Sequence, residues 1–352
     1  MAKKYITIQG KRIGVGEPPF VIAEAGVNHN GRLDFALRLI DVAANAGADA
    51  VKFHTWKAEQ VVTKAGVMAS YQKRNTGKEE SQLDMLRPLA LPEIWYPKLI
   101  ARAKERGIII FSAPHGHIAS VAVMEHWKFP AFKIASGDLT NLPLLAYAAK
   151  KGKPMLISTG MGTLAEVKEA VRTVRRAGNN DILVFQCTTD YPLAPEDANL
   201  RVIETFRKEL RVLVGYSDHT DGDEAAIMAV TLGAVAVEKH LTLDRTMKGP
   251  DHVASMEHRE FASMVQKVKR VPALLGSFLK RPCAKERQYM PIARKSIVAS
   301  RDIAKGEELT LENLTIKRPG TGIAPKQLPK LMGEYATQNI GADTLISKHM
   351  FR

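Results

Sequence analysis

The chain has 352 residues with 51 Lys and Arg against 37 Asp and Glu, a formal net charge of +14. Its basic residues are spread, without interleaved aromatics or a nucleic-acid module, so the charge points to a small anionic substrate or merely a basic surface, and not to nucleic acid. Two cysteines, Cys187 and Cys283, exclude a disulfide framework; no run approaches the roughly 20 apolar residues of a membrane span, and Met1–Gly10 lacks a signal-peptide core, so the cytoplasm is the expected compartment.

In chain order, Tyr5–Val15 reads as a hairpin turning at Gly10, expected to cap the closed end of a barrel. Eight short apolar runs come next, each ending in a polar or charged residue. They are Phe20–Glu24, Asp49–Thr55, Ile108–Ser112, Ala131–Ser136, Pro154–Thr159, Asp181–Thr188, Val212–His219 and Ala234–His240. Between them, Asp34–Ala46, Glu93–Arg106, Leu164–Ala177 and His258–Leu275 carry apolar residues at helical spacing, with Asp34 and Thr163 as N-caps. A strand–helix unit repeated eight times predicts an α/β fold, a (β/α)₈ TIM barrel over residues 1–279, whose strand ends build the active site.

The connection Trp56–Leu91 is long and polar, and within it Tyr71–Gln82 is expected to form a lid over the barrel mouth. Residues 280–292, with two prolines and several charges, read as a linker. A small second domain fills residues 293–352: strands at Ser296–Val298 and Leu314–Lys317, a turn at Ala304–Gly306, a loop Arg318–Ile323 and a helix near Pro325–Met332. About 60 residues is marginal for independent stability, so this domain gains by docking on the barrel or on a partner subunit.

Alternate residues of a barrel strand face inward. In the second strand Val51 and Phe53 face the helices while Lys52 and His54 face the mouth. In the seventh Val214 and Tyr216 face out, Ser217 and His219 in. The eighth turns Glu238 and His240 inward and Val235 and Val237 outward. The same alternation turns Ile22 and Glu24 inward on the first strand and Gln186 and Thr188 on the sixth, which leaves Cys187 outside as a packing residue.

Three groups carry the candidate chemistry. His219 and His240 end neighbouring strands, so their imidazoles can converge on an octahedral ion such as Mn²⁺, Co²⁺ or Fe²⁺ with open positions for water and substrate. The bland alternative is two unrelated histidines in a polar cleft. Asp218 could fix an imidazole tautomer, although its outward position suits a loop anchor better. Lys52 and Lys133 can hold a phosphate and a carboxylate as point charges, with Ser136, Ser158 and Ser217 as neutral donors around the same mouth. Either lysine could instead be a Schiff-base nucleophile or a structural ion-pair partner. Glu24, beside the tight loop Gly26–Gly31, could bind metal, orient water or move protons. Weaker features are Thr159–Gly162, which resembles a phosphate-cradling turn but is common in barrels, and Gly249-Pro-Asp251, a sugar contact or simply a turn. His115 and His117 read as exposed loop residues.

These residues, in this order, resemble the sialic acid synthase family over essentially the whole chain. Ile22-Ala-Glu-Ala-Gly-Val-Asn-His-Asn-Gly31 is similar to its first-strand signature, Lys133-Ile-Ala-Ser-Gly-Asp-Leu-Thr-Asn141 to the fourth and Ile157-Ser-Thr-Gly-Met161 to the fifth. Tyr216-Ser-Asp-His-Thr220 and Glu238-Lys-His240 resemble the segments that supply metal histidines, and Gly249-Pro-Asp251 comes after them as it does there. Lys317-Arg-Pro-Gly-Thr-Gly322 resembles the family's small antifreeze-like (SAF) domain.

The resemblance implies condensation of phosphoenolpyruvate with an N-acylated amino sugar, typically N-acetylmannosamine, to a nine-carbon 2-keto acid. It implies an ion of Mn²⁺ type, with Mg²⁺ or Co²⁺ as substitutes, on His219 and His240. Phosphoenolpyruvate would be held by Lys52, Lys133, Ser136, Ser158 and Ser217, with Thr189 near the phosphate and Glu24 serving the attacking water. Asp138, Tyr191 and Asp251 would contact the sugar. Arg318 would reach the sugar's acyl group from the other subunit of a domain-swapped homodimer. The chain departs from the family pattern at His54, where many members have Gln, at Ala113 (Thr in some), at Thr189 (Asn) and at Asp138 (frequently Glu). These changes bear on the sugar, which could also be a 6-phosphate or a relative leading to legionaminic or pseudaminic acid. Two rivals of other classes are a pyruvate aldolase with Lys133 as Schiff base, and an ice- or carbohydrate-binding module in the tail.

Overall fold

The computed structural model describes residues 3–352. It divides into two units, one ending at Gly276 and one running from Ser277 to Arg352. In the first, β1 (Tyr5–Ile8) and β2 (Lys11–Gly14) form the expected hairpin around Gln9-Gly10. Its alternate residues Ile6, Ile8 and Ile13 are buried in the barrel core. Lys11 pairs with Asp49, whose other oxygen accepts from Val21 N at 2.8 Å. Asp49 lies just before a barrel strand, so the hairpin sits at the N-terminal ends of the strands, away from the mouth.

The chain then alternates strands and helices: β3 (Phe20–Gly26), α1 (Leu33–Asn45), β4 (Ala50–Thr55), then three short helices α2 (Ala58–Val61), α3 (Ser70–Thr76) and α4 (Gln82–Leu86). Next come α5 (Tyr96–Glu105), β5 (Ile109–Pro114), α6 (Ile118–His126), β6 (Phe132–Ile134), α7 (Leu142–Ala149), β7 (Met155–Ser158) and α8 (Leu164–Arg176). The unit is completed by β8 (Ile182–Cys187), α9 (Val202–Leu210), β9 (Leu213–Asp218), α10 (Glu224–Thr231), β10 (Ala236–His240) and α11 (His258–Leu275). Strands β3 to β10 are parallel, and β10 pairs with both β9 and β3, so the sheet closes on itself.

Helix α8 shows how local sequence builds the outer layer. Thr163 caps its start, its side chain accepting from Glu166 N while Glu166 accepts from Thr163 N at 2.7 Å. Val167, Ala170, Val171 and Val174 recur at helical spacing and are buried against the strands. Each such valine contributes about 1.5–3 kcal/mol relative to exposure. At α1 the expected cap is corrected. Arg32, not Asp34, holds the N-cap position, and the Asp34 carboxylate is taken by the Arg32 guanidinium at 2.7 Å instead of by backbone N–H groups.

The sixth barrel strand is a second correction. Phe185 and Cys187 face inward on β8, and Gln186 faces out, its side-chain amide donating to Ala198 O at 3.2 Å. Register decides this: Phe185 pairs with Ser158 and Gly215, and Cys187 with Ser217, all on the inward face. Gly215 is required here, because a Cβ on it would meet the Phe185 ring at 2.7 Å.

The long connection after β4 is built from α2, α3 and α4 and covers the mouth, where Tyr71, Gln72, Gln82 and Met85 line the cavity below. Asn75 anchors it by donating to Pro250 O at 2.7 Å.

In the second unit, β11 (Ser296–Ala299) pairs antiparallel with β12 (Leu314–Lys317), and a four-residue helix comes later at Leu328–Leu331. Its own small core comprises Ile297, Ile303, Leu309, Leu314, Leu331, Ile340 and Ile346. Within the stretch expected as a linker, 280–292, Ala284–Ala293 forms a ten-residue exposed helix. Cys283 caps it with its sulfur, 3.4 Å from Glu286 N, and Glu286 returns a bond to Cys283 N at 2.7 Å. Among the described residues, no helix is long and apolar enough to cross a membrane.

Candidate active site

The strand ends open into a cavity of about 310 Å³, at the small end of ligand sites. Strand register lays the charges of its floor side by side. Glu24 of β3 stands opposite Lys52 of β4 on one side and His240 of β10 on the other, and Glu238 stands opposite Ser217 of β9. Lys52 Nζ lies 2.6 Å from Glu24 Oε2 and 3.3 Å from Glu238 Oε1. Lys133 Nζ lies 3.2 Å from the same Glu238 oxygen and donates to Ser158 Oγ, with the Phe185 ring centroid at 5.2 Å. Ser217 Oγ also donates to Glu238 Oε1, at 3.2 Å. Behind Glu24, Gly26 has φ +48° and a Cβ there would sit 2.7 Å from the Glu24 carboxylate; only glycine leaves room for it.

These four charges are at most 5% exposed at the side chain. Burial opposes ionisation of Glu238, but the ammonium groups of Lys133 and Lys52 outweigh it and hold its pKa at about 2. Burial pulls Lys52 down to about 7 against the attraction of Glu238. Two carboxylates thus keep two ammonium groups folded into the floor, where an unpaired charge would be strongly unfavourable.

Around this floor lie the expected hydroxyls. Ser136 Oγ accepts from Gly160 N at 3.0 Å and is 3.6 Å from Cys187 Sγ. Ser158, Ser217 and Thr189 line the same cavity. One wall holds His219, His240 and Tyr191. The two imidazole centroids are 5.4 Å apart, and the Tyr191 ring lies 4.1 Å from that of His219. The His219 Nδ1 is 2.6 Å from Thr188 O, so it donates there and leaves Nε2 with a free lone pair. Burial lowers the pKa of His219 to about 4 and that of His240 well below its usual range, so both rings are uncharged and fit as ligands of a divalent ion. Among the described residues no group of three His, Cys, Asp or Glu assembles around an ion position, so most of the shell would come from water and substrate. Asp218 anchors its loop, accepting from Thr220 and from the buried Lys239.

On the opposite wall only His54 was legible in the sequence. His54, Trp56 and His115 pack together, with His115 4.6 Å from His54 and 5.1 Å from Trp56 between ring centroids. His115, expected as an exposed loop residue, lines the cavity; His117 instead accepts from Ala119 N at the start of α6. Asp138, expected to meet the sugar, does not line the cavity. Its oxygens accept from Gly116 N at 3.1 Å and Asn141 Nδ2 at 3.0 Å, and His115 Nδ1 lies 3.9 Å away. The shorter Asp side chain stops behind the histidine. Asp251 does reach the cavity from the loop after β10, and burial raises its pKa to about 6. Arg318 lies exposed in the second unit, after β12.

Several buried polar atoms of the lining have no hydrogen-bond partner: both Glu24 carboxylate oxygens, Thr189 Oγ1, Glu238 Oε2, His240 Nδ1, His115 Nε2 and Trp56 Nε1. Each such atom costs about 1–3 kcal/mol unless something bonds to it. Concentrated around one cavity, they are the polarity that a bound ligand would satisfy. Glu238 is the central residue that sequence reasoning left without a role. Its inward parity and its place two residues before His240 were the available signal.

The NeuB family model matches residues 39–280 and the SAF domain model residues 294–352. The chain is 40% identical over 328 residues to N,N'-diacetyllegionaminic acid synthase of Campylobacter jejuni, covering 93% of this chain and 98% of that one. It is 37% identical over 340 residues to N-acetylneuraminate-9-phosphate synthase of the mouse, covering 96% and 94%. A crystal structure of N-acetylneuraminic acid synthetase from Leptospira borgpetersenii superposes with a TM-score of 0.71 at 32% identity, covering 81% of this chain and 94% of that one.

Proposed function

Because the chain belongs to the NeuB family, we propose that it condenses phosphoenolpyruvate with the open-chain aldehyde of an N-acylated amino sugar, giving a nine-carbon 2-keto acid and inorganic phosphate. The observation that carries this reading is the floor of the cavity: two ammonium groups, Lys52 and Lys133, ringed by Ser136, Ser158 and Ser217 and facing two uncharged imidazoles. That arrangement matches a substrate with a phosphate and a carboxylate on one carbon.

The lysines and serines bind and orient phosphoenolpyruvate, aligning its C3 with the aldehyde carbon. Bond formation at C3 leaves positive charge at C2, and Glu24 is the carboxylate best suited to stabilise it and to take a proton from the water that adds there. Collapse of the resulting tetrahedral centre breaks the C2–O bond and releases phosphate, whose charge stays balanced by Lys52 and Lys133. A divalent ion on His219 and His240, Mn²⁺ first among the choices, would supply Lewis-acid polarisation of the aldehyde oxygen. Tyr191, Asp251 and Thr189 line the space left for the sugar. We place the reaction in the cytoplasm and the active enzyme in a domain-swapped homodimer, with Arg318 of a second copy meeting the sugar's acyl group.

N-acetylmannosamine is the reference sugar. A diacetamido-trideoxy hexose is the second reading, favoured by the similarity to a relative named for N,N'-diacetyllegionaminic acid. The test is to incubate pure protein with phosphoenolpyruvate, Mn²⁺ and each of these sugars, including the 6-phosphate, while measuring phosphate and 2-keto acid. Equimolar formation of both with one sugar is expected. Removing the metal with a chelator should lower the rate by at least about 100-fold, and Mn²⁺ should restore it. Borohydride trapping of pyruvate on Lys133 without phosphate release would instead establish the aldolase.

Asp251 gives the reaction a pH dependence. With its pKa near 6, it takes up a proton as pH falls through 6 and loses the negative charge that would accept from the sugar's hydroxyls. The sugar's kcat/KM should therefore fall below about pH 6, and Asp251→Asn should flatten that limb. An unchanged acid limb in the variant would remove Asp251 from the sugar site.

A further inference from the structure

We propose that Asp218 and Lys239 are positioning residues, a buried clamp that fixes the separation of His219 and His240 and so the affinity of the site for a divalent cation. This rests on the reading of those two histidines as the metal ligands.

The pair lies on the outer side of the barrel wall, away from the cavity. Asp218 of β9 and Lys239 of β10 are register partners, and both side chains are at most 1% exposed. The neighbouring outward positions Val214, Tyr216, Val235 and Val237 are buried and apolar. An ion pair buried in such a place adds little stability over an apolar pair of similar volume. What it does impose is one geometry. Lys239 Nζ donates to Asp218 Oδ2 at 2.8 Å and also to Thr220 O. Asp218 Oδ1 accepts from Thr220 N at 2.9 Å and from Thr220 Oγ1 at 2.8 Å. Four hydrogen bonds thus tie the end of β10 to the turn after β9.

Each histidine is next in the chain to a member of this network. His219 sits between Asp218 and Thr220, and His240 follows Lys239. The regular pairing of β9 with β10 ends at Asp218 and Lys239, one residue short of both histidines, whereas β10 stays paired with β3 as far as His240. On the β9 side, the side-chain network therefore takes over where the ladder stops. The two rings do not depend on it equally. His219 is oriented by its own Nδ1, which donates to Thr188 O at 2.6 Å, and its carbonyl accepts from Leu193 N at 2.8 Å. His240 Nδ1 has no partner, so the place of that ring follows from the backbone that Lys239 holds. With only two protein ligands, the spacing matters, because ligand distances must be met to within about 0.2 Å.

The test uses full-length, metal-free wild type, Lys239→Met and the double variant Asp218→Asn/Lys239→Met, titrated with Mn²⁺ while the free ion is read from its EPR signal. Both variants should raise the Kd for Mn²⁺ about 10- to 100-fold. The Kd for phosphoenolpyruvate without metal, measured by calorimetry, should change less than about threefold, because Lys52 and Lys133 stand on other strands. The double variant leaves no unpaired charge in the wall and keeps an acceptor for Thr220, so it reports even where Lys239→Met does not fold. A folded variant that binds Mn²⁺ within about twofold of wild type would overturn the clamp. Equal weakening of Mn²⁺ and phosphoenolpyruvate would also overturn it, since that marks a general loosening of the barrel. A wild type that binds no Mn²⁺ would overturn the metal reading itself, and the wild-type titration shows that separately.

Discussion

Glu238→Ala is expected to lower the unfolding free energy of the barrel unit by about 3–5 kcal/mol, the cost of removing one member of a buried charge cluster. Its oxygen Oε1 is the shared acceptor of Lys52, Lys133 and Ser217, and without it two ammonium groups face each other with only Glu24 to balance them. The pH dependence gives a second reading of the same interaction. The folded pKa of about 2 lies below the ordinary 4.5, so the stabilisation is complete above pH 4.5 and is lost as pH falls toward 2. Urea denaturation of wild type and variant at pH 7 and below pH 3 measures both. The gap between them should be large at pH 7 and mostly closed in acid. An equal gap at both pH values would mean that packing, not charge, makes Glu238 necessary.

The second large effect is on turnover. Lys133→Met keeps a side chain of similar length but removes the charge that lies over the Phe185 ring, and kcat/KM for phosphoenolpyruvate should fall about 10²- to 10³-fold. The fold should tolerate this better than the loss of Glu238, because Glu238 keeps Lys52 and Ser217 as partners; a stability loss of no more than about 2 kcal/mol is expected. Steady-state phosphate release at varied phosphoenolpyruvate concentration measures the first figure and urea denaturation the second. A variant with near-normal kcat/KM would remove Lys133 from the anion site and leave it a structural ion-pair partner. Complete loss of activity together with trapping of pyruvate on the wild-type lysine would favour the Schiff-base aldolase.

Residues whose surroundings are local were legible in the chain itself. On β4, Val51 and Phe53 are unmistakably apolar, so Lys52 and His54 could only face the other way, and they line the cavity. On β9 and β10 the same contrast turned Ser217, His219, Glu238 and His240 inward. Thr163 with Glu166 three residues on announced the start of α8. Where the contrast is absent the reading failed. Phe185-Gln186-Cys187-Thr188 offers no clean polar face, and its neighbours choose the parity: Gly215 leaves space for Phe185, and Cys187 falls beside Ser217. A sulfur cap at Cys283, straight after Pro282, and Pro291 inside the helix left Ala284–Ala293 unread as a helix.

The amino-acid sequence by itself determined the alternation of strands and helices, which strand ends carry charge, and the family to which the chain belongs. Each depends on residues close together in the chain, or on a pattern that repeats along it. Only the tertiary structure decided that Glu238 is shared by two lysines, that Asp138 stops behind His115, and that Lys52 stands between Glu24 and Glu238. Those contacts join separate strands and loops of the closed barrel. Their distances are set by strand register and side-chain length across it, which no local pattern encodes.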